Sequence, residues 1–288
     1  MTNKILSVLG EKKQSIPLIL DSPHSGIIYP DDFDHITTLK KLRQAEDSYV
    51  HELYMDSIKQ GAVLIHANFP RSYIDPNRSE RDFSYEFIED GEKYFNEFKF
   101  EPTIKTKLGI GLIWTKVPPD GEKMYNRKLL PDEVRSRINK FHRPYHKKLS
   151  SIMDSTFLKY GCFYHINCHS MQNNASAMST QSKGTLRPDF VIGDKDGKSC
   201  VKSFTNFVVD FLRELNYSVE INDPYKGMEL VSAYSNPKIK KNSLQIEVNR
   251  KIYMNEFTRI KTDQFQKLKS DLNQLICMIK SQLEKGFL

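Results

Sequence analysis

Short apolar runs alternate with longer stretches whose apolar residues recur at helical spacing, and this alternation restricts the fold more than any other feature of the chain. The first run, Leu18, Ile19 and Leu20, passes through Asp21, Ser22 and Pro23 into His24, Ser25 and Gly26. Closure by Pro and Gly makes it a buried strand that ends in a tight turn. Further strands are predicted over residues 62–69, 162–168, 190–193, 217–221 and 244–248. Helices are predicted over 39–60, 132–160, 201–215 and 257–283. In the first helix Leu42, Tyr49, Leu53 and Ile58 mark one broad face, and Gly61 supplies the stop. Pro144 lies inside the second and should kink or split it, because proline lacks a backbone donor and clashes with the preceding turn. Residues 85–107 are charged and aromatic without a clean period and carry no assignment. The order of elements predicts an α/β protein with helices on both faces of a mostly parallel sheet. No repeat, low-complexity tract or linker marks a boundary, so residues 1–288 read as one domain.

A chain of 288 residues can bury a sizeable core. Its formal net charge of +7 would suit nucleic acid, an anionic membrane surface or a small anionic substrate. The 43 basic residues are scattered among 36 acidic ones, and no basic block carries interleaved aromatics. A small anion is therefore favoured over nucleic acid. No window approaches the roughly 20 apolar residues that span a bilayer. Residues 1–14 hold no long apolar segment after their charges, so no secretory signal is expected. Cys162, Cys168, Cys200 and Cys277 form no C-x-x-C pair, and a reducing cytoplasm is the expected compartment. Cys168, beside His169, reads either as a nucleophile or ligand or as a small buried hydrophobe.

Several polar residues fall where strands give way to loops. His24 follows the first strand, the pair Glu46 and Asp47 lies on the helix after it, and His169 follows the 162–168 run. Two imidazoles and a carboxylate with an open fourth position are what a catalytic zinc site uses, although the same residues also suit turns and cores. Asp75, Pro76, Asn77 and Arg78 follow the second strand. They read as a solvated turn or as a grip on a carboxylate, since a guanidinium fork fits one. Arg71 either binds substrate or pairs with an acid. In 244–249 apolar residues alternate with Gln245, Glu247 and Asn249. Glu247 is then a general base aimed into a cleft or one residue of a polar outer face.

Taken in order, these pieces resemble the N-formylglutamate amidohydrolase family. The matching segments are SPHSG at 22–26, EDSYVHELY at 46–54, RSYIDPNR at 71–78, GIG at 109–111 and HRPYHKKL at 142–149. They continue with NCHSM at 167–171, RPDFVIGD at 187–194, PYKG at 224–227 and IEVNRKIYM at 246–254. The ordered set covers nearly the whole chain. It implies a three-layer α/β/α fold with a mixed, mostly parallel sheet, similar to zinc carboxypeptidases and aspartoacylase.

The resemblance also implies roles. His24, Asp47 and His169 would hold one Zn2+ or another divalent metal, Glu247 would act as base, and Arg71 would face the oxyanion. Asn77 and Arg78 would grip a substrate carboxylate, with Lys226 as a second cation. The carboxypeptidase H-x-x-E pattern is absent, because Ile27 stands three residues after His24, and Glu46 competes with Asp47 for the acidic position. The implied reaction is hydrolysis of N-formyl-L-glutamate to formate and L-glutamate, a step of histidine degradation. The alternatives are a zinc amidohydrolase for another N-acyl amino acid or peptide-like amide, and a catalytically inactive basic binding protein on the same fold. The expected partner is a small anionic acyl-amino acid, with no nucleic acid and no membrane, for a monomer or small homo-oligomer.

Overall fold

Phe163–Met171 and Lys241–Asn249 are paired in parallel, with Phe163 opposite Lys241 and Met171 opposite Asn249. Polar and apolar residues alternate along both, and a strand sends successive side chains to opposite faces. Tyr164, Ile166, Cys168, Leu244, Ile246 and Val248 therefore enter one core. His165, Asn167, His169, Ser243, Gln245 and Glu247 take the other side, where they are equally buried. Each large aliphatic side chain removed from water contributes roughly 1.5–3 kcal/mol. Buried polar groups must instead find partners, so the polar stripe forms a network.

The computed structural model describes residues 5–95 and 98–286. The first four residues of the N-terminal stretch and residues 96–97 of the unassigned stretch lie outside them. In chain order the strands are β1 Leu6–Leu9, β2 Leu18–Ser22, β3 Val63–Ala67, β4 Lys116–Val117, β5 Glu122–Lys123, β6 Phe163–Met171, β7 Phe190–Gly193, β8 Val219–Ile221 and β9 Lys241–Asn249. Seven of them make one sheet in the order β1-β3-β2-β6-β9-β7-β8, while β4 and β5 form a separate ribbon. The β1–β3 and β7–β9 pairs are antiparallel and the other pairs of the large sheet are parallel. The helices are α1 Leu39–Leu42, α2 Val50–Leu53, α3 Gly91–Tyr94, α4 Ile104–Lys107, α5 Pro131–Arg137, α6 Arg143–Tyr160, α7 Lys202–Glu214, α8 Glu229–Ser232 and α9 Gln264–Glu284. On one face α5 and α6 pack Val134, Tyr145, Leu149 and Ile152 against Ile19, Val63 and Ile65. On the other, α2, α7 and α9 pack Leu53, Phe204, Val208, Leu272 and Leu275 against Leu18, Leu20 and Leu64. The result is three layers around a mixed, mostly parallel sheet. Among the described residues no helix is long and apolar enough to cross a membrane.

Three local expectations are corrected and one is met. Residues 39–60 are not one helix: α1 runs into a 3-10 turn, Glu46 is extended, Tyr49 is left-handed at φ 65°, and α2 and a second 3-10 stretch follow. The Asp47 N–H donates to the His24 carbonyl at 3.0 Å, and this tie to the turn after β2 overrides the helical period. The helix expected over 132–160 is divided next to Pro144, as expected, into α5, a π turn and α6. A π turn at Ile138–His142 widens the preceding turn, so proline sits in the first turn of α6, where its missing donor goes unused. The strand predicted over 162–168 continues to Met171, which puts His169 on β6 itself. The last helix begins at Gln264, because Arg259 is left-handed at φ 63° and its guanidinium turns inward to Glu46.

Gly26 sits where the turn after β2 crosses the chain at Asn68 and Phe69. A Cβ there would lie 2.2 Å from the Phe69 carbonyl oxygen, so the turn that carries His24 requires glycine.

Candidate active site

Parallel strands collect their ligand sites at their C-terminal ends. His24 lies in the turn after β2, His169 near the end of β6 and Glu247 near the end of β9, opposite His169 in register. Asp47 reaches the same point from the break between α1 and α2. Its Oδ2 lies 3.1 Å from His169 Nδ1 and 3.4 Å from His24 Nδ1. One donor atom from each of the three residues falls within 4.8 Å of the others, and all three side chains are buried.

Each of these side chains is fixed from behind. His24 Nε2 is 2.7 Å from Asp75 Oδ1, and His169 Nε2 is 2.6 Å from Asn167 Oδ1. With both Nε2–H groups donating outward, both Nδ1 lone pairs face Asp47. Arg250 Nη2 donates to Asp47 Oδ1 at 2.8 Å and leaves Oδ2 turned inward. His24 Nδ1 is buried and has no hydrogen-bond partner among the described residues. The 3.1 and 3.4 Å separations match the edge of a tetrahedral metal site, about 3.3 Å for bonds of 2.0–2.1 Å. Acceptors placed behind the ring in this way fix the tautomer of a metal-binding histidine. His24, Asp47 and His169 therefore suit a metal ion.

The electrostatics agree with that use. Burial drives the His169 pKa down to about 4 despite the pull of Asp47, so its ring is neutral at pH 7. Burial opposes ionisation of Asp47, but His169, His24 and Arg250 outweigh it and hold the carboxyl well below its usual range. Asp75 behaves alike, with Arg71, His24 and Arg78 overcoming its burial. Glu247 goes the other way. Burial and then the charge of Asp47 push it up to about 8, against Arg71, Arg187 and Arg250. Two neighbouring carboxyls of opposite tendency mark separate chemical tasks.

The cleft over this cluster has a volume of about 430 Å³, and all eight residues singled out in the sequence line it: His24, Asp47, Arg71, Asn77, Arg78, His169, Lys226 and Glu247. Arg71 donates from Nη2 to Asp75 Oδ2 at 2.8 Å and stands 3.9 Å from Asp47 Oδ1. Asn77 accepts from the Leu230 N–H at 3.0 Å, with its amide nitrogen 3.1 Å from His169 Nε2 and 3.4 Å from Asn167 Oδ1. Among the described residues the Arg78 guanidinium donates only to carbonyls, those of Ile110 and Asn77. Lys226 is exposed at the rim and paired with Asp196 at 2.9 Å. Glu46 lies apart, held by Arg259 and by the Tyr29 hydroxyl at 2.8 Å. Cys168 faces the apolar core.

Asp75, Asn167 and Arg250 take part in the site but were not singled out as site residues in the sequence. The strict polar alternation of β6 and β9 carried the signal for Asn167. The same stripe contains Asp21, His165 and Ser243, linked by 2.7 and 2.6 Å contacts at the two His165 nitrogens. This array has the composition of a nucleophile relay, but all three residues are wholly buried. Asp21 Oδ1 instead accepts from Asn167 Nδ2 at 2.8 Å, which turns the Asn167 oxygen towards His169.

A cleft of this kind at the C-terminal ends of the central strands of a mixed α/β sheet is that of an enzyme acting on a small molecule. The family model described as N-formylglutamate amidohydrolase matches residues 16–254, and the chain belongs to that family. It is 25% identical over 284 residues to an N-formylglutamate deformylase of Pseudomonas putida, covering 98% of this chain and 96% of the relative. It is 23% identical to the enzyme of that name from Pseudomonas aeruginosa, over 86% of each chain. A crystal structure of N-formylglutamate amidohydrolase from Ralstonia eutropha JMP134 superposes with a TM-score of 0.91 and 38% identity, covering 98% of this chain and 99% of that one. A gene product of Agrobacterium tumefaciens shares the fold at a TM-score of 0.70 and 15% identity, covering 98% of this chain and 97% of that one.

Proposed function

We propose that the protein hydrolyses N-formyl-L-glutamate to formate and L-glutamate with one divalent ion, zinc, held by His24, Asp47 and His169. The observation that carries this is the convergence of their inward donor atoms within 4.8 Å in a cleft shared with Glu247. Family membership supplies the substrate. Bound by these residues, the ion would supply Lewis acidity, enough to lower the pKa of a water molecule towards about 7.

The protein's own groups do the rest. Glu247 takes the proton of the attacking water and returns it to the departing amine. Burial raises its pKa above that of an ordinary carboxyl, and a bound cation would keep it ionised, so it can act as a base. Arg71, preset by its two bonds to Asp75, faces the negative charge that develops on the formyl oxygen. Asn77 and Arg78 hold the α-carboxylate, where the Arg78 fork has donors to spare. The free cysteines support the cytoplasm as its compartment.

The test combines metal analysis with an amine-release assay on N-formylglutamate before and after chelation. One zinc per chain, loss of turnover on chelation and recovery on adding zinc are expected. Full turnover by metal-free protein would refute the proposal.

A further inference from the structure

N-formylglutamate carries two carboxylates, and Arg78 with Asn77 accounts for one. The cleft holds two more cations with no ion-pair partner among the described residues, although the Glu247 carboxyl shares the cleft with them. Arg187, in the segment before β7, is 6% exposed. Its guanidinium donates to Gln181 Oε1 at 3.1 Å, the Gln172 carbonyl at 3.1 Å and Ser179 Oγ at 3.2 Å, and lies over the Tyr225 ring at 5.2 Å. These contacts fix the fork without cancelling its charge, and two of its five N–H donors stay free. Lys105, on α4, lines the same cleft and has no ion-pair partner among the described residues. Burial, then the charges of Arg78, Arg71 and Arg187, lower its pKa to about 8. Desolvated cations pressed together are costly unless an anion joins them. Lys226, the expected second cation, is already matched by Asp196.

We infer that Lys105 and Arg187 form the subsite for the side-chain carboxylate, and so select dicarboxylate over monocarboxylate N-acyl amino acids. This rests on the activity proposed above and adds how its substrate is chosen. Arg78 and Asn77 take the α-carboxylate beside the reacting amide. Lys105 and Arg187 take the distal one, relieving their mutual repulsion. An uncharged amide in its place leaves both cations unpaired.

The test compares kcat/KM on N-formyl-L-glutamate and N-formyl-L-glutamine for the wild type, Lys105→Met and Arg187→Gln. Because Arg187 also ties Gln172, Ser179 and Gln181 together, Lys105→Met is the decisive variant. Loss of a charge-assisted contact should lower its rate on the glutamate substrate about 10- to 100-fold, with the glutamine substrate changed by less than about threefold. Equal loss on both substrates, or an unchanged ratio, overturns the inference. If the wild type hydrolyses neither, the activity reading has failed, and calorimetric binding of N-acetyl-L-glutamate against N-acetyl-L-glutamine decides the subsite. A preference present in the wild type and lost in Lys105→Met then supports it, and equal binding by the wild type overturns it.

Discussion

Glu247→Gln separates the chemical task of this carboxyl from its structural cost. The replacement has the same shape, and its amide oxygen can accept the 2.9 Å bond that Gln245 Nε2 now gives. Packing should therefore be preserved. The native carboxyl is buried and its pKa lifted from 4.5 to about 8. Its folded value lies above its unfolded one, so the native state holds a proton that the unfolded chain loses. The penalty is absent below pH 4.5, grows as pH rises through the window, and is complete above about 8. At about 1.4 kcal/mol per unit the ceiling is about 5 kcal/mol, reached in metal-free protein. A bound divalent cation would shrink it by favouring the carboxylate. Glu247→Gln should then raise the melting temperature of the chelated protein at pH 8 by several degrees, at about 2–4 °C per kcal/mol, with little change at pH 4.5. Turnover should fall about 10²- to 10⁴-fold with zinc content unchanged, the usual contribution of a general base. Scanning calorimetry at the two pH values and an amine-release assay read both effects. Turnover within tenfold of the wild type would refute the base role, and a melting point unmoved at pH 8 would refute the burial argument.

Asp75→Asn removes the charge behind His24 and should weaken zinc binding about 10- to 100-fold, measured by chelator competition, with turnover partly restored by excess zinc. Unchanged affinity would detach Asp75 from the metal centre. Gly26→Ala drives a methyl into the Phe69 carbonyl and should cost more than about 3 kcal/mol in urea unfolding, or abolish folding. A neutral result would mean that the turn relaxes freely. Zinc bound only to the folded state should add about 2.7 kcal/mol of stability at a hundredfold excess over Kd, so the melting temperature should climb with zinc concentration. In His169→Ala that increment should disappear, and its persistence would take His169 out of the ligand set.

The sequence by itself determined the layered α/β architecture, because strand alternation and helical spacing are local properties of the chain. It also determined which residues of β6 and β9 face the polar side, since a strand's period is two. Ordered short segments pointed to His24, His169, Glu247, Asn77 and Arg78, and the folded chain gathers these in one cleft. What only the tertiary structure decided depends on partners far away along the chain. Asp47 rather than Glu46 joins the two histidines because Arg250, 203 residues on, takes one oxygen of Asp47 while Arg259 draws Glu46 away. The same long-range ties broke the helix expected over 39–60. Lys226 reads as the second cation in the sequence but pairs with Asp196 in the fold, and Arg187 and Lys105 stand out only because the fold leaves them in the cleft without an ion-pair partner among the described residues. Charge pairing of this kind is settled by three-dimensional proximity and burial, which neither periodicity nor spacing encodes.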